Sequence, residues 1–300
     1  MTATDSATDT ATRAAARDKA QWTSIDGRRP PATRQVLMYA LLVALSILVL
    51  APVVWAMLSS FKTQTELAQH PPTLLPDSFA PTNYTEALAT FNFTTYLKNS
   101  VLVTVSATVL TLVINTMAAY GLAKYNFRGR NILFLVTLGT IMIPLQIILI
   151  PVYQVAADLH LVNSLWGLII PPAATPTGVF LLRQYMLSIP DELIEAARID
   201  GAGEFWIFLR VVVPLCGAPI AVLAIFSVIW RWNDFLWPLI ISQDQDKYTL
   251  PVALAQFDSQ LVVPFNYILA MSVVSMLPVI IIFLVLQRHI TRGIASTGLK

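Results

Sequence analysis

The chain has 300 residues, of which 56% are hydrophobic and 12% are charged, and its mean hydropathy is +0.67. A soluble domain could not easily cover its surface with so few charged residues, so we predict an integral membrane protein. The formal net charge of +2 is too small to indicate a nucleic-acid partner, and the single cysteine, Cys216, excludes a disulfide framework and a thiolate metal cluster. We expect no metal site and no catalytic residue.

Residues 1–35 are rich in Ala, Thr and Asp and contain six Lys or Arg residues. They lack the apolar periodicity with which a segment buries one face, so we expect a disordered cytoplasmic tail. A cleaved signal peptide fits poorly, because the apolar run that follows exceeds the roughly 7–15 residues of a signal-peptide core.

Six apolar runs are long enough to cross about 30 Å of hydrocarbon as helices. The fourth run contains Pro171, Pro172 and Pro176, which must break its ladder of backbone hydrogen bonds. The sequence therefore predicts an all-α membrane protein with six transmembrane helices in a domain at residues 36–287. The runs lie at about 36–58, 99–122, 131–153, 164–182, 212–230 and 266–286.

The Lys and Arg residues outside these runs are distributed unevenly between the two sides of the membrane. If the N-terminus is cytoplasmic, the inner segments hold 15 of them and the outer segments hold 4. By the positive-inside rule, both termini are then cytoplasmic, including a C-terminal tail at residues 288–300. The segment between the fourth and fifth runs is cytoplasmic as well, and the protein is expected to be a multi-pass protein of the cell membrane.

The six runs contain no Asp, Glu, Lys, Arg or His within these bounds. Carriers that couple transport to protons or sodium ions normally need such groups at membrane depth, so an ion-coupled secondary carrier is a weaker alternative. The chain also lacks the G-x-x-x-x-G-K-[ST] motif that binds nucleotide phosphates. Energy for transport is therefore expected to come from another polypeptide.

A polar stretch, residues 188–214, interrupts the apolar sequence between the fourth and fifth runs, and we call it the acidic segment. Between residues 191 and 204 it contains five acids and one base. A helix resting on the anionic inner leaflet would carry mostly Lys and Arg, so binding to lipid is the weaker interpretation. Docking into a groove of another protein is favoured, because Ala196 and Ala197 let two backbones approach closely and Glu195 offers a carboxylate to a basic partner.

We expect two short helices in the acidic segment. Ser188 can cap the first, which would begin near Ile189, and Gly201 would end it at a positive φ that glycine adopts without strain. The second helix, at about residues 203–209, would lead into the fifth run near Pro214. We expect its Phe205, Trp206 and Phe208 to pack.

The acidic segment contains E-A-A-R-I-D-G at residues 195–201, then nine residues, then V-V-V-P ending at Pro214. This pattern resembles the EAA loop of the permease subunits of bacterial ABC importers, with Val at positions 211 and 213 where the family pattern has Ile and Leu. The stretches Y-L-K-N-S, A-A-Y-G-L-A-K-Y-N-F-R-G-R and R-W-N-D-F-L-W-P are similar to carbohydrate-uptake permeases of the second maltose-transporter subunit (MalG-like) type. Residues 1–35 lie outside the resemblance.

The resemblance implies the fold of a type I ABC importer permease, with six transmembrane helices and a cytoplasmic coupling helix. It also implies three kinds of partner: a homologous second permease, a pair of ATPase subunits that bind ATP and Mg²⁺, and an external solute-binding protein. The chain itself is not expected to be an enzyme or to bind a cofactor. The residues implied to couple it to the ATPase are Glu195, Ala196, Ala197, Arg198, Asp200 and Gly201.

The substrate implied by the resemblance is a sugar or a sugar-like solute, and glycerol phosphate or an oligopeptide-like solute is the alternative. By likeness, residues 242–266 would reach towards the external binding protein. The polar side chains Asn115, Gln146 and Ser227 are candidates for the substrate pathway, although hydrogen bonding between helices explains each of them equally well. A membrane scaffold that only recruits a soluble protein is a third interpretation of the chain.

Overall fold

A computed structural model describes the backbone of residues 32–258 and 264–297. It describes the side chains of residues 33–257 and 264–284. The disordered tail predicted at residues 1–35 lies almost wholly outside the described residues, and its last four residues belong to the first helix.

Every regular element in these described ranges is helical, in agreement with the predicted all-α class. Single turns of 3₁₀ helix lie at Pro171–Ala173 and Gln245–Lys247, and one wider π turn lies at Phe208–Val212. The α-helices are α1 (Ala32–Ser59), α2 (Gln64–Leu67), α3 (Thr82–Thr90), α4 (Phe93–Lys124), α5 (Arg130–Ile141), α6 (Leu145–Asp158), α7 (Leu165–Ile169), α8 (Pro176–Met186), α9 (Asp191–Ile199), α10 (Glu204–Ile207), α11 (Val213–Leu215), α12 (Gly217–Trp232), α13 (Leu236–Ile241), α14 (Leu250–Asp258) and α15 (Phe265–Thr297).

Three of these helices, α1, α4 and α15, are each long and apolar enough to cross a membrane. Three further candidates are pairs of helices that meet at a short break. The bend is 108° between α5 and α6 and 42° between α7 and α8. It is 79° where the continuous stretch that contains α10 and α11 meets α12. By length and composition, the described residues therefore hold up to six spans if each bent pair is one span. Among the described residues, 32–55, which include most of α1, form a unit separate from those after residue 55.

Proline explains where two of the bends lie. The predicted break in the fourth run is confirmed, because a 3₁₀ turn at Pro171–Ala173 separates α7 from α8, which begins at Pro176. The bend between α5 and α6 falls just before Pro144, and the ring of a proline disfavours a helical conformation for the residue that precedes it, here Ile143. From the sequence, residues 131–153 were predicted as one span in which Pro144 could disturb the helix, and the size of the bend, 108°, was not predicted.

Helix α4 is the central element of the described residues after residue 55. It has 32 residues and is therefore about 48 Å long. It packs most extensively against α8 and α12. Alone among the described helices, α4 contributes side chains to all three buried apolar clusters. The acidic-end cluster contains its residues Ala119, Tyr120 and Ala123, the middle cluster contains Val103 and Ala107, and the opposite-end cluster contains Phe93 and Tyr96.

Asn83, a buried residue of α3, binds both the segment that follows α1 and the first turn of α15. Asn83 Nδ2 donates to the carbonyl oxygens of Ser60 and Lys62, each at 2.8 Å. Asn266 Nδ2 in turn donates to Asn83 Oδ1 at 2.8 Å. Asn83 therefore joins the chain that follows α1 to the first turn of α15.

The helices extend beyond the apolar runs, so two guanidinium groups that the sequence analysis assigned to loops lie inside helices. Arg183 in α8 and Arg231 in α12 are each 8% exposed. Arg183 Nε donates to Leu122 O at 3.1 Å, and its guanidinium lies 3.8 Å from the centre of the Phe134 ring. A buried guanidinium is tolerated where carbonyl oxygens and aromatic faces receive it. The charge-free runs are therefore shorter than the helices that contain them.

Candidate functional site

The first helix of the acidic segment, α9, begins at Asp191 rather than near Ile189. Ile189 is followed by Pro190, whose ring disfavours a helical conformation for the residue before it. Pro190 occupies the N-cap position without a side-chain hydrogen bond, and Ser188 Oγ donates to Tyr185 O at 2.7 Å. The predicted Ser188 cap is therefore wrong, because this hydroxyl binds the end of the preceding helix.

Gly201 ends α9 as predicted, with a φ of +80°. The amide of Gly201 donates to Arg198 O and the amide of Ala202 donates to Ala197 O, both at 3.0 Å. These two bonds form a Schellman motif, in which the residue beyond the C-cap takes a left-handed conformation. A Cβ added at Gly201 would meet no atom within 4 Å, so the backbone and not the available space requires glycine here.

Replacing Gly201 by Ala is expected to weaken the end of α9 by about 1 kcal/mol, because a residue with a Cβ is strained at this φ. Amide hydrogen exchange in the last turn of α9 should then be about five-fold faster. The matched control is Gly203→Ala, since Gly203 has φ −70° and ψ 153° and room for a Cβ. Equal exchange rates in the two variants would contradict the backbone explanation.

Helix α9 buries one side and exposes the other. Ile194 is buried in the acidic-end cluster, and Ala197 is partly buried against it. Ile199, which the sequence analysis did not single out, is 87% exposed. The exposed side therefore presents acidic side chains as well as one large apolar side chain, Ile199. The candidate coupling residues on the exposed surface are Glu195, Ala196, Arg198, Asp200 and Gly201.

The second helix of the acidic segment is longer than predicted. It begins at Glu204, continues through the π turn into α11, and bends at Cys216 into α12. Pro214 has no amide hydrogen, and its ring would clash with the carbonyl of Arg210 in a regular α-helix, which a wider turn avoids. The span predicted from residue 212 therefore has its straight part only from Gly217 onwards.

A shallow hollow of about 410 Å³ lies beside the end of α9. Trp206, which lines the hollow, is 54% exposed, and the preceding residue, Phe205, is 68% exposed. Ile207 and Phe208 of the same stretch are buried. Exposed aromatic rings next to a concavity are typical of surfaces that bind another protein. The hollow is lined by Ala197, Asp200, Gly201, Ala202, Gly203 and Trp206.

The beginning of α9 is bound to the last residue of α4, Lys124. Lys124 Nζ lies 2.6 Å from Ile189 O and 2.5 Å from Asp191 Oδ1. The Lys124 side chain is 5% exposed, whereas that of Asp191 is 74% exposed. Because the ammonium group is withdrawn from water, salt and solvent screen this contact less than they screen a fully exposed ion pair.

The end of α9 is also bound to the end of α4, through Glu204. Arg198 donates from Nε to Glu204 Oε1 at 2.6 Å and from a terminal nitrogen to Oε2 at 3.2 Å. The hydroxyl of Tyr125, the residue that follows α4, donates to Glu204 Oε2 at 2.6 Å. Neither Lys124 nor Tyr125 is among the residues that the sequence predicts for this site, although both lie in the A-K-Y-N-F-R-G-R stretch that carries part of the resemblance.

Side chains from two neighbouring helices complete the hydrogen bonding at the break between α7 and α8. Asn115 in α4 is fully buried; its Oδ1 accepts from Thr175 N at 3.1 Å, and its Nδ2 donates to Thr175 Oγ1 at 2.5 Å. Arg231 in α12 donates to Pro172 O at 2.8 Å. Because the prolines interrupt the helical ladder, Asn115 and Arg231 supply partners for the freed backbone groups.

A cavity of about 670 Å³ opens beside this break. Ser227 lines it, and Ser227 Oγ lies 3.0 Å from Thr108 Oγ1 and accepts from Arg231 Nε at 3.2 Å. Its wall combines an apolar surface with a few hydroxyl groups, as small-molecule sites do. The lining includes the hydroxyl residues Thr111, Thr175, Thr177 and Ser227 and the aromatic residues Phe180, Phe226 and Trp230.

The structure brings two of the three candidate pathway residues to this cavity. Ser227 lines it directly, and Asn115 binds Thr175, which also lines it. Gln146 is exposed in the first turn of α6 and is not part of this lining. Arg231, which the sequence analysis placed in an outer loop, binds Ser227 and lies one residue beyond the predicted end of the fifth run.

Gly178 in α8 lies against the Asn115–Thr175 pair, and a Cβ there would be 2.3 Å from Asn115 Nδ2 and 2.7 Å from Thr175 Oγ1. We expect Gly178→Ala to lower the free energy of unfolding by about 1–3 kcal/mol, because overpacking forces the bonded pair to shift. In the control, Gly121→Ala in α4, the added methyl meets no atom within 4 Å and should be neutral or stabilising by up to about 1 kcal/mol. Thermal denaturation of the purified protein measures both, and equal stabilities would contradict the tight fit.

Comparisons with known proteins agree along most of the chain. Residues 112–296 match the family model described as "Binding-protein-dependent transport system inner membrane component". The chain is 37% identical over 255 residues to the arabinooligosaccharides transport system permease protein AraQ of Halalkalibacterium halodurans, covering 83% of this chain and 90% of that protein. It is 34% identical over 264 residues to the diacetylchitobiose uptake system permease protein NgcG of Streptomyces coelicolor, covering 87% of each.

A solved structure shares the helical arrangement described above. It is the crystal structure of a bacterial ABC transporter involved in the import of the acidic polysaccharide alginate, with a TM-score of 0.79 and 26% sequence identity. The similarity covers 87% of this chain and 97% of that chain. Since the family model covers more than half of the chain, from the second half of α4 into α15 with the acidic segment between them, this chain belongs to the family of binding-protein-dependent transport system inner membrane components.

Proposed function

We propose that this chain is one of two permease subunits of an ATP-driven ABC importer that moves a sugar or a sugar-like solute into the cell. The observation that carries the proposal is the acidic segment, where a helix with an exposed carboxylate and a glycine turn lies at one end of a bundle of apolar helices. The solute class is supported by the relatives named for arabinooligosaccharides and diacetylchitobiose, at 37% and 34% identity, and by the solved structure named for alginate. Relatives named for sn-glycerol-3-phosphate share a lower identity, 30%, with this chain.

In this proposal, α9 is the coupling helix and docks into a groove of a separate ATPase subunit. Glu195 offers its carboxylate to a basic group of the ATPase, and Ala196 lets the two backbones approach closely. Ala197 holds α9 against the bundle on its other side. ATP and Mg²⁺ bind to the ATPase pair, and this chain supplies no residue to hydrolysis.

The other three candidate coupling residues set the shape of the end of α9. Arg198 is bound by Glu204, Asp200 borders the hollow, and Gly201 forms the turn. When ATP draws the two ATPase subunits together, the coupling helices of this chain and of a homologous second permease would approach each other. The bundle would then change between inward-facing and outward-facing forms by rigid-body movement.

The proposed orientation places the acidic segment in the cytoplasm together with the tails at residues 1–35 and 288–300. The uneven distribution of Lys and Arg supports this orientation. Residues 36–287 would form the permease domain, with lipid around its apolar helices. At the other side of the membrane, residues 242–266 would face the external solute-binding protein.

The cavity beside Ser227 is our candidate for part of the solute pathway. Its aromatic rings offer flat apolar surfaces for the faces of sugar rings, and its hydroxyl groups offer hydrogen-bond partners. Ser227 would face the solute, and Asn115 would hold Thr175 in the cavity wall. Gln146 would contact the solute only elsewhere along the path, and the second permease would cover the open side of the cavity.

Copurification followed by reconstitution in liposomes tests the proposal. We expect an ATPase, a second permease and an external lipoprotein to copurify with the chain. Liposomes that contain this complex, ATP and Mg²⁺ should accumulate an oligosaccharide, and excess glycerol phosphate should not compete. Uptake by the chain alone in an ion gradient would establish a secondary carrier instead. Undiminished uptake by a complex without the chain would establish a scaffold.

A further inference from the structure

Helix α9 is too short to be rigid by itself. It has nine residues, and Ile194 is its one buried residue. Isolated helices shorter than about 12–15 residues are marginally stable in water, so the order of α9 must come from its contacts. Pro190 precedes the helix and Gly201 follows it. Both flanking connections are short, and the second contains a glycine at which the backbone can rotate.

The contacts that order α9 meet at one point, the end of α4. Lys124, with a nearly buried side chain, binds Ile189 O and the Asp191 carboxylate at the beginning of α9. Tyr125, the next residue, binds Glu204, which binds Arg198 in the last turn of α9. Two adjacent residues of one helix end therefore hold both ends of α9, although 67 and 79 residues separate them from Asp191 and Glu204.

We propose that Lys124 and Tyr125 act as a clamp that makes α9 and α4 move as one rigid body. The inference rests on the proposed function, because it assumes that an ATPase displaces α9. With the clamp closed, such a displacement moves α4 and the clusters packed around it. With the clamp open, α9 would turn about its flanking connections and absorb the displacement. Lys124 and Tyr125 are positioning residues, since their contacts are to residues of this chain.

The clamp is tested with Lys124→Met and Tyr125→Phe in the intact transport complex, reconstituted in liposomes. Uptake and ATP hydrolysis are measured in the same sample. We expect solute transported per ATP to fall on the order of ten-fold in Lys124→Met and about three-fold in Tyr125→Phe, while ATP hydrolysis stays within about two-fold of the unaltered complex. Lys124→Arg, which keeps the charge, should retain more of the coupling than Lys124→Met.

Two matched controls remove the same chemical groups nearby. Arg128→Met removes an exposed positive charge four residues after Lys124, and Tyr185→Phe removes a hydroxyl that has no hydrogen-bond partner among the described residues. Both controls should transport as many solute molecules per ATP as the unaltered complex. A loss in the controls equal to that in the clamp variants would overturn the proposal.

Hydrogen exchange supplies a second measurement that does not depend on transport. In Lys124→Met, amides of α9 should exchange on the order of five to ten times faster, while those of α8 should not change. Unchanged exchange in α9, or unchanged solute per ATP in both clamp variants, would overturn the clamp. If the unaltered complex itself transports without consuming ATP, the proposed function fails instead, and the two failures are thereby distinguished.

Discussion

Replacing Glu195 by Lys is expected to abolish ATP-driven uptake while the chain remains folded in the membrane. Glu195 is exposed on α9 and, in the proposed complex, its carboxylate meets a basic group of the ATPase. Reversing its charge at a docked interface should cost several kcal/mol, so uptake should fall at least about 100-fold. Uptake and ATP hydrolysis by the reconstituted complex measure the effect, and Glu195→Gln should give an intermediate loss.

The control for this charge reversal is Asp158→Lys, which makes the same change at an exposed helix end outside the acidic segment. It should leave uptake within about two-fold of the unaltered complex. If Glu195→Lys also transports at this level, α9 does not couple the chain to an ATPase through this carboxylate. If both variants lose uptake equally, the loss reflects the added charge and not its position.

Replacing Arg231 by Met is expected to produce the largest loss of stability. Its guanidinium binds Pro172 O, Thr111 Oγ1 and Ser227 Oγ inside the bundle. Methionine fills a similar volume but leaves a buried carbonyl oxygen without its donor, at a cost of about 3 kcal/mol. Thermal denaturation of the purified protein should show a clear fall in Tm, and uptake should fall with the amount of folded complex.

Arg210→Met is the matched control for Arg231→Met, because Arg210 is exposed in the acidic segment. It should change stability by no more than about 0.5 kcal/mol. A double-mutant cycle with Thr111→Val sharpens the test, since the two losses should not add if Arg231 acts partly through Thr111. Additive losses, or an Arg231→Met protein as stable as Arg210→Met, would contradict the role assigned to the guanidinium.

Features set by the local chemistry of proline and glycine could be predicted from the sequence. The break in the fourth run was predicted because three prolines lie within residues 171–176, and no continuous helix accommodates all of them. At Pro144 the sequence indicated that the helix could be disturbed but not that it bends sharply, because a single proline is compatible with a continuous helix. Pro52 in α1 and Pro278 in α15 are examples. Packing by neighbouring helices decides whether a helix with one proline continues or bends.

The acidic segment shows where two local rules compete. Gly201 was predicted correctly because the conformation beyond a helix end depends on that one residue. Ser188 was predicted wrongly because a good capping residue was followed, two positions later, by a proline that moved the start of the helix. Phe205 and Trp206 were expected to pack, yet they are exposed, since the sequence does not show which face of a short helix meets the bundle.

The spacing of E-A-A, Gly201 and Pro214 located the candidate coupling helix, but not the residues that hold it. Lys124 and Tyr125 lie far from their partners in sequence, and so does Arg231, 59 residues from Pro172. No periodicity or local motif connects such pairs. They become visible only when the packing of α4, α8 and α12 is known.

The three clusters along α4 have a mechanical consequence. Helix α4 is packed in apolar clusters at three points along about 48 Å, so it has little freedom to bend. A sideways displacement of its Lys124 end would therefore tilt the whole helix. If the middle cluster, around Val103 and Ala107, is the fulcrum, the Phe93 end swings in the opposite direction. When α4 tilts in this way, one opening of a passage beside it narrows while the other opening widens. A stiff α4 would therefore exclude an arrangement in which both openings are wide at once.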